Sequence, residues 1–184
     1  MKFKDILKRK EKAFKQKNKN YNVTVDSDIG FFEVNNLEFP DLNHLLYKKF
    51  KVLFSQNIYG KKSFYLLKPP LNESLQHFFL VQEIKRVLKN NFEVVYEYKT
   101  KKPDLVFRVK NRDYALEIET GKSSIKVKSR ILEKINLLKE SFGDDWFFVV
   151  TNRNLIKKYK VYGKVLTRKN FIKKLSDYVN FSIV

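Results

Sequence analysis

The chain has 184 residues, and its 39 Lys plus Arg against 20 Asp plus Glu give a formal charge of +19. Its 43% hydrophobic content, with only 5 Gly and 4 Pro, argues against a disordered or fibrous chain, and no apolar run approaches the roughly 20 residues of a membrane span. The chain has no cysteine, which excludes disulfides and thiolate metal sites, and a cytoplasmic location is expected. The basic excess predicts a polyanionic partner, most simply DNA, although compositional drift towards lysine is the alternative explanation.

The first seventy residues predict a small, basic α+β region. Residues 1–20 alternate lysines with apolar residues, which indicates either a short amphipathic helix or a solvated arm. Residues 21–34 alternate like a strand pair. A helix is expected from Pro40 through residue 57, followed by two short strands around Gly60 and a stop at Pro69–Pro70.

A helix followed by a basic hairpin resembles the recognition half of a winged helix, although any helix packed on any hairpin would give the same pattern. Pro69–Pro70 predicts a boundary between a winged-helix-like region, residues 1–70, and a second domain, residues 71–184. The lysines expected to contact DNA in the first region are Lys48, Lys49, Lys51, Lys61 and Lys62.

From residue 71 the pattern predicts the order α-β-β-β-α-β-α-β-α. The helices show apolar spacing of three and four, and the strands are short runs such as FEVVYEY, PDLVFRV, DYALEIE and the all-apolar WFFVVT. The fold class expected for residues 71–184 is therefore α/β.

Carboxylates cluster on two of these strands despite the basic composition. Glu117 and Glu119 share one face of their strand, and the neighbouring strand begins at Asp104, so a hairpin would bring Asp104 beside one of them. Like charges about 4 Å apart repel by roughly 4 kcal/mol at an effective dielectric of 20. Raised pKa values or a divalent cation would relieve that repulsion, whereas solvent-facing carboxylates paired with lysines are the structural alternative.

Pro103–Asp104 followed by Glu117–Ile118–Glu119 resembles the PD-(D/E)xK nuclease superfamily, whose core is an αβββαβ unit. The resemblance implies Mg²⁺ or Mn²⁺ bound by Asp104 and Glu117, with Glu83 of the preceding helix as a further acid. The family places a lysine where this chain has Glu119. Glu119 is then an added metal ligand, Lys122 in "ETGK" replaces the lysine, or the site is inactive.

The order of "GKKSFYLL", "QHFFLVQEI", "VYEY", "KPDLVF" and "LEIETGK" is also similar to the replication-relaxation proteins of mobile elements, which join a winged helix to a nuclease-like domain. The expected fold is a restriction-endonuclease-like core with a winged-helix-like N-terminal region. The expected function is metal-dependent cleavage of DNA, and the alternative is a catalytically inactive DNA-binding accessory factor. A homodimer is left open, no membrane is expected, and further lysines assigned to DNA are Lys126 and Lys128.

Overall fold

The computed structural model describes residues 2–16, 25, 30–98, 103–121 and 128–182, and it has a mixed α/β fold with two compact units. The first unit comprises Met1–Asn57 and Lys61–Phe79, and the second comprises Ile58–Gly60 and Leu80–Val184. The division falls within a helix beyond Pro69–Pro70. Independent folding of residues 71–184 stays a prediction.

In its described residues, the first unit has a three-stranded antiparallel sheet, two complete helices, a short 3₁₀ turn and the beginning of a third helix. The strand order is β1-β3-β2. Ile6, Leu42 and Leu45 of the two helices pack with Val34 and Leu66 in one core cluster, so the N-terminal segment is a docked amphipathic helix rather than a solvated arm. The elements are α1 (Phe3–Gln16), β1 (Phe31–Glu33), the 3₁₀ turn (Val34–Asn36), α2 (Phe39–Tyr47), β2 (Lys51–Gln56) and β3 (Lys62–Leu67).

The helix expected to run from Pro40 through residue 57 ends at Tyr47, so that part of the prediction was wrong. Lys49 has a φ of 64°, a left-handed conformation that breaks the helix. The apolar spacing of Leu53 with the helix is accidental, because residues 51–56 pair with β3 as an antiparallel strand. The strand expected to pair with β1 falls mainly outside the described residues. Within the described residues, β1 pairs with β3.

The second unit follows the element order predicted from residue 71. Its five-stranded sheet has the order β4-β5-β6-β7-β8, with β4, β5 and β6 antiparallel and β6, β7 and β8 parallel. No helix in the described residues is long and apolar enough to cross a membrane. The elements are α3 (Leu75–Lys89, which begins in the first unit), β4 (Val95–Glu97), β5 (Leu105–Val109), β6 (Arg112–Glu119), α4 (Lys128–Phe142), β7 (Trp146–Val150), α5 (Asn154–Tyr159), β8 (Val165–Thr167) and α6 (Arg168–Ser182).

Helices cover both faces of the five-stranded sheet, and strand alternation decides which helix each side chain meets. Leu116 and Ile118 lie on the face packed against α3 and α6. Ala115 lies on the opposite face, with residues of α4 and α5. Glu117, which alternates with Leu116 and Ile118, therefore faces α4 and α5.

Candidate active site

Asp104 and Glu117 meet because their strands are neighbours. β5 and β6 are antiparallel, and Leu105 lies opposite Leu116, so Asp104, just before β5, lies beside Glu117. Asp104 accepts a hydrogen bond at Oδ2 from the backbone N–H of Ile118, at 2.7 Å. This bond fixes the Asp104 carboxylate against β6, next to the second acid.

Glu117 is a buried carboxylate with one oxygen left unsatisfied. The residue is 6% exposed, and its Oε2 has no hydrogen-bond partner. Burial is the largest influence on its pKa and repulsion from Asp104 the next. The nearby Lys134 acts in the opposite sense, and the balance raises the pKa of Glu117 to about 8. A buried acid held beside a second acid is poised to take a proton or a cation.

Lys134 supplies a positive charge at this site. It lies on α4, and its Nζ donates a hydrogen bond to Oε1 of Glu117. Burial by itself would lower the pKa of Lys134, but attraction to Glu117 and then to Asp104 outweighs burial and raises that pKa.

Sequence reasoning missed Lys134, although a signal for it exists. It follows Ile131 by three positions and precedes Leu138 by four, so it lies within the apolar stripe that α4 turns towards the sheet. A lysine in such a stripe has to find a buried or half-buried acid, and here that acid is Glu117.

Glu119, in the position where the resembled nuclease family has its lysine, is tied to a different helix. The hydroxyl of Tyr159 on α5 donates a hydrogen bond of 2.6 Å to Oε2 of Glu119, and Tyr159 is fully buried. Glu119 still lies close enough to Glu117 to add a smaller repulsion to the causes of its raised pKa. Part of the Glu119 carboxylate thus anchors α5 to the end of β6.

Glu83 is fully buried on α3, the helix that packs on the other face of the sheet. Its Oε2 accepts a hydrogen bond of 2.6 Å from the backbone N–H of Ile58, and Arg86 lies 3.0 Å from its Oε1. In the described part of the chain, no three His, Cys, Asp or Glu side chains are grouped so that they could hold a metal ion. The metal-binding role expected for Glu83 stays a prediction.

The lysines predicted to act at the site or on DNA divide into two groups. Lys122 and Lys126 lie outside the described residues, as does the side chain of Lys128 at the start of α4. The remaining five are exposed on the first unit, after α2 and along the β2–β3 hairpin, and Lys61 forms an ion pair of 3.2 Å with Glu33. These five are Lys48, Lys49, Lys51, Lys61 and Lys62.

Comparison of the chain with protein-family models, with curated proteins and with solved structures gave no significant match.

The chemistry of the donor set fits a hard divalent cation. Asp104 and Glu117 offer carboxylate oxygens, the ligands that Mg²⁺ and Mn²⁺ prefer. The buried, unpartnered Oε2 of Glu117 is the specific observation behind this fit, because such an atom costs free energy unless a proton or a cation satisfies it. The Lys134 ammonium meets the other oxygen of the same carboxylate and leaves Oε2 to a further ligand.

Proposed function

We propose that the chain is a DNA-binding protein whose second unit is a metal-dependent endodeoxyribonuclease of the PD-(D/E)xK type. The juxtaposition of Asp104 with the buried, half-satisfied carboxylate of Glu117 carries this proposal. The order α3-β4-β5-β6-α4-β7, with β4 to β6 antiparallel and β7 parallel to β6, supports it, since the resembled superfamily has an αβββαβ core.

Asp104 and Glu117 would hold the Mg²⁺ or Mn²⁺ ion, which when bound polarises a phosphodiester and lowers the pKa of a water molecule. Lys134, which lies beside Glu117, would take the role that the resembled family gives to a lysine at the position of Glu119, and the role expected for Lys122 stays a prediction. Glu117 orients the Lys134 ammonium through their ion pair. The ammonium would offset part of the repulsion between the two carboxylates and an approaching phosphate. Glu119 positions α5 through Tyr159.

The first unit supplies the DNA-binding part of the proposal. Its order of helix, strand, 3₁₀ turn, helix and two strands, with the sheet order β1-β3-β2, supports a winged-helix-like arrangement in which α2 precedes the hairpin. The exposed lysines after α2 and along the hairpin provide the positive charge that the phosphate backbone attracts.

Asp104→Asn tests the nuclease proposal, because an asparagine oxygen still accepts the Ile118 N–H while the charge is lost. We expect calorimetric Mn²⁺ binding to weaken strongly and cleavage of branched, nicked or linear DNA to disappear, as it should for the wild type with a chelator. Asp113→Asn is the matched control, since Asp113 lies on β6 but pairs with Arg108 at the surface. Equal Mn²⁺ affinity in wild type and Asp104→Asn would overturn the metal site.

One observation favours a second function, that of a catalytically inactive DNA-binding accessory factor. Lys134 already neutralises one oxygen of Glu117, so the pair is partly balanced without a metal. Such a protein would bind the substrates named above but would cleave none of them, either in Mg²⁺ or in chelator. Retention of DNA binding together with metal-dependent cleavage would exclude it.

A further inference from the structure

Phe54 is exposed although it lies within a strand. It is on β2, an edge strand of the sheet in the first unit, and is 57% exposed. Its ring lies 4.8 Å from that of Phe64, directly opposite on β3, and Phe64 lies 5.7 Å from Phe3 of α1. Phe3 and Phe64 pack against the core, so the row of rings starts at the core and ends in solvent at Phe54. The rings of Phe64 and Phe3 hold Phe54 in place from behind. Its outer ring face stays in water, so this face contributes no hydrophobic stabilisation to the fold.

A lysine lies beside this ring. Lys62 pairs with Gln56 and shares the sheet face of Phe54 and Phe64, which makes it a diagonal neighbour of Phe54. An exposed apolar ring beside an ammonium group suits a ligand that joins flat apolar faces to anionic groups.

We propose that Phe54 is a stacking platform for an unpaired base of single-stranded DNA, with Lys62 meeting a flanking phosphate. Unpaired bases have free π-faces that stack on aromatic side chains, whereas bases in a duplex already stack on one another. The choice of DNA rests on the proposed function, and the stacking geometry stands on the first unit alone.

Binding of the full-length chain to a short oligothymidylate, in chelator and at fixed salt, tests the platform. Loss of one base–ring stack should weaken affinity about 5- to 150-fold in Phe54→Ala. Phe54→Leu keeps an apolar side chain but removes the ring, so its affinity should fall nearly as far as that of Phe54→Ala. Val161→Ala truncates a 76% exposed apolar residue of the second unit and should match wild type. Wild-type affinity in Phe54→Leu would overturn stacking.

Phe54→Trp gives a direct readout. Stacking should quench its emission on addition of oligothymidylate but not of a duplex of equal length, while Trp146, the chain's single tryptophan, is 4% exposed and remains a constant background. Equal quenching by the duplex would overturn the stacking site and indicate a contact with duplex DNA. Self-association that rises with protein concentration and that Phe54→Ala abolishes would overturn it in favour of a dimer contact. Because chelator prevents metal-dependent cleavage, an absent nuclease activity leaves this result unaffected.

Discussion

Lys134 and Glu117 form an ion pair in which the ammonium satisfies only one carboxylate oxygen, while the other is buried without a hydrogen bond. The lysine comes from α4 and the acid from β6, so the pair depends on how the helix packs on the sheet. It is the feature that distinguishes this carboxylate cluster from solvent-facing acids on a strand.

Lys134→Met should strengthen Mn²⁺ binding and weaken cleavage at the same time. Methionine keeps much of the side-chain length and removes the charge, so a bound cation no longer faces a neighbouring ammonium, but the charge compensation near the phosphate is lost. Without metal, the variant should lose about 2 kcal/mol of unfolding free energy at alkaline pH, because a charge-assisted hydrogen bond to Glu117 is missing. Calorimetry, a cleavage assay and denaturant unfolding measure the three effects.

Lys139→Met is the matched control for Lys134→Met, because Lys139 is exposed on the same helix. It should leave metal binding, cleavage and unfolding unchanged. Equal Mn²⁺ affinity in wild type and Lys134→Met would mean that the ammonium does not oppose the metal.

Glu117→Gln should make the free energy of unfolding less dependent on pH, because the wild type becomes less stable as pH rises. The pKa of Glu117 is about 8 in the folded chain against an ordinary value of 4.5, so between these values the folded state holds the proton more tightly. Stability therefore falls as pH rises through this window, by at most about 1.4 kcal/mol per pH unit for this single group. Urea midpoints from pH 5 to 9 should fall more steeply in wild type than in Glu117→Gln. Glu93→Gln, at an exposed position, should show the same pH dependence as wild type. If the urea midpoints of all three proteins fell equally with pH, the raised pKa of Glu117 would be contradicted.

The element order after residue 71 follows from local pattern alone, because each helix and strand there has its own periodicity and turn residues. The approach of Asp104 to Glu117 also follows, since a short hairpin fixes register within a few residues. The end of α2 at Tyr47 did not follow: the apolar residues of β2 fit a helical spacing, and the pairing with β3 overrides it.

Contacts that join distant parts of the chain could not be read from spacing. Lys134 reaches Glu117 across 17 positions and Tyr159 reaches Glu119 across 40. Each depends on how a helix packs on the sheet, which residue periodicity does not specify. The sequence identifies which acids gather, and the packing decides which cation or hydroxyl each one meets.

Tyr159→Phe should destabilise the protein without weakening Mn²⁺ binding. The hydroxyl is buried and bonded to a carboxylate, and loss of such a bond costs about 1 to 3 kcal/mol. Tyr162→Phe, three residues beyond the end of α5 and only partly buried, serves as the comparison in thermal and urea unfolding. If Tyr159→Phe instead abolished Mn²⁺ binding at unchanged stability, Glu119 would act as a metal ligand rather than as an anchor for α5.

Glu83→Ala and Glu83→Gln separate a structural role from a metal-binding role. Alanine leaves the buried N–H of Ile58 without its carboxylate acceptor, which should cost about 1 to 3 kcal/mol of unfolding free energy. Glutamine retains an acceptor oxygen and should recover much of that loss. Mn²⁺ affinity measured in the same two variants tests the other role: a strong loss in Glu83→Gln, despite its recovered stability, would assign Glu83 to the metal.

The lysines after α2 should account for a defined share of the salt dependence of DNA binding. Each phosphate neutralised contributes about −0.9 to the slope of log affinity against log salt for duplex DNA. Substitution of Lys48, Lys49 and Lys51 by Gln should therefore reduce the magnitude of that slope by about three, provided that each meets a phosphate. Substitution of Lys157, Lys160 and Lys173 by Gln changes the net charge equally at exposed positions of the second unit, and should change the slope less. Fluorescence anisotropy across a salt series gives the slope for each triple variant. Equal reductions of the slope in the two variants would show that only the overall charge matters. The residues after α2 would then not belong to the DNA interface.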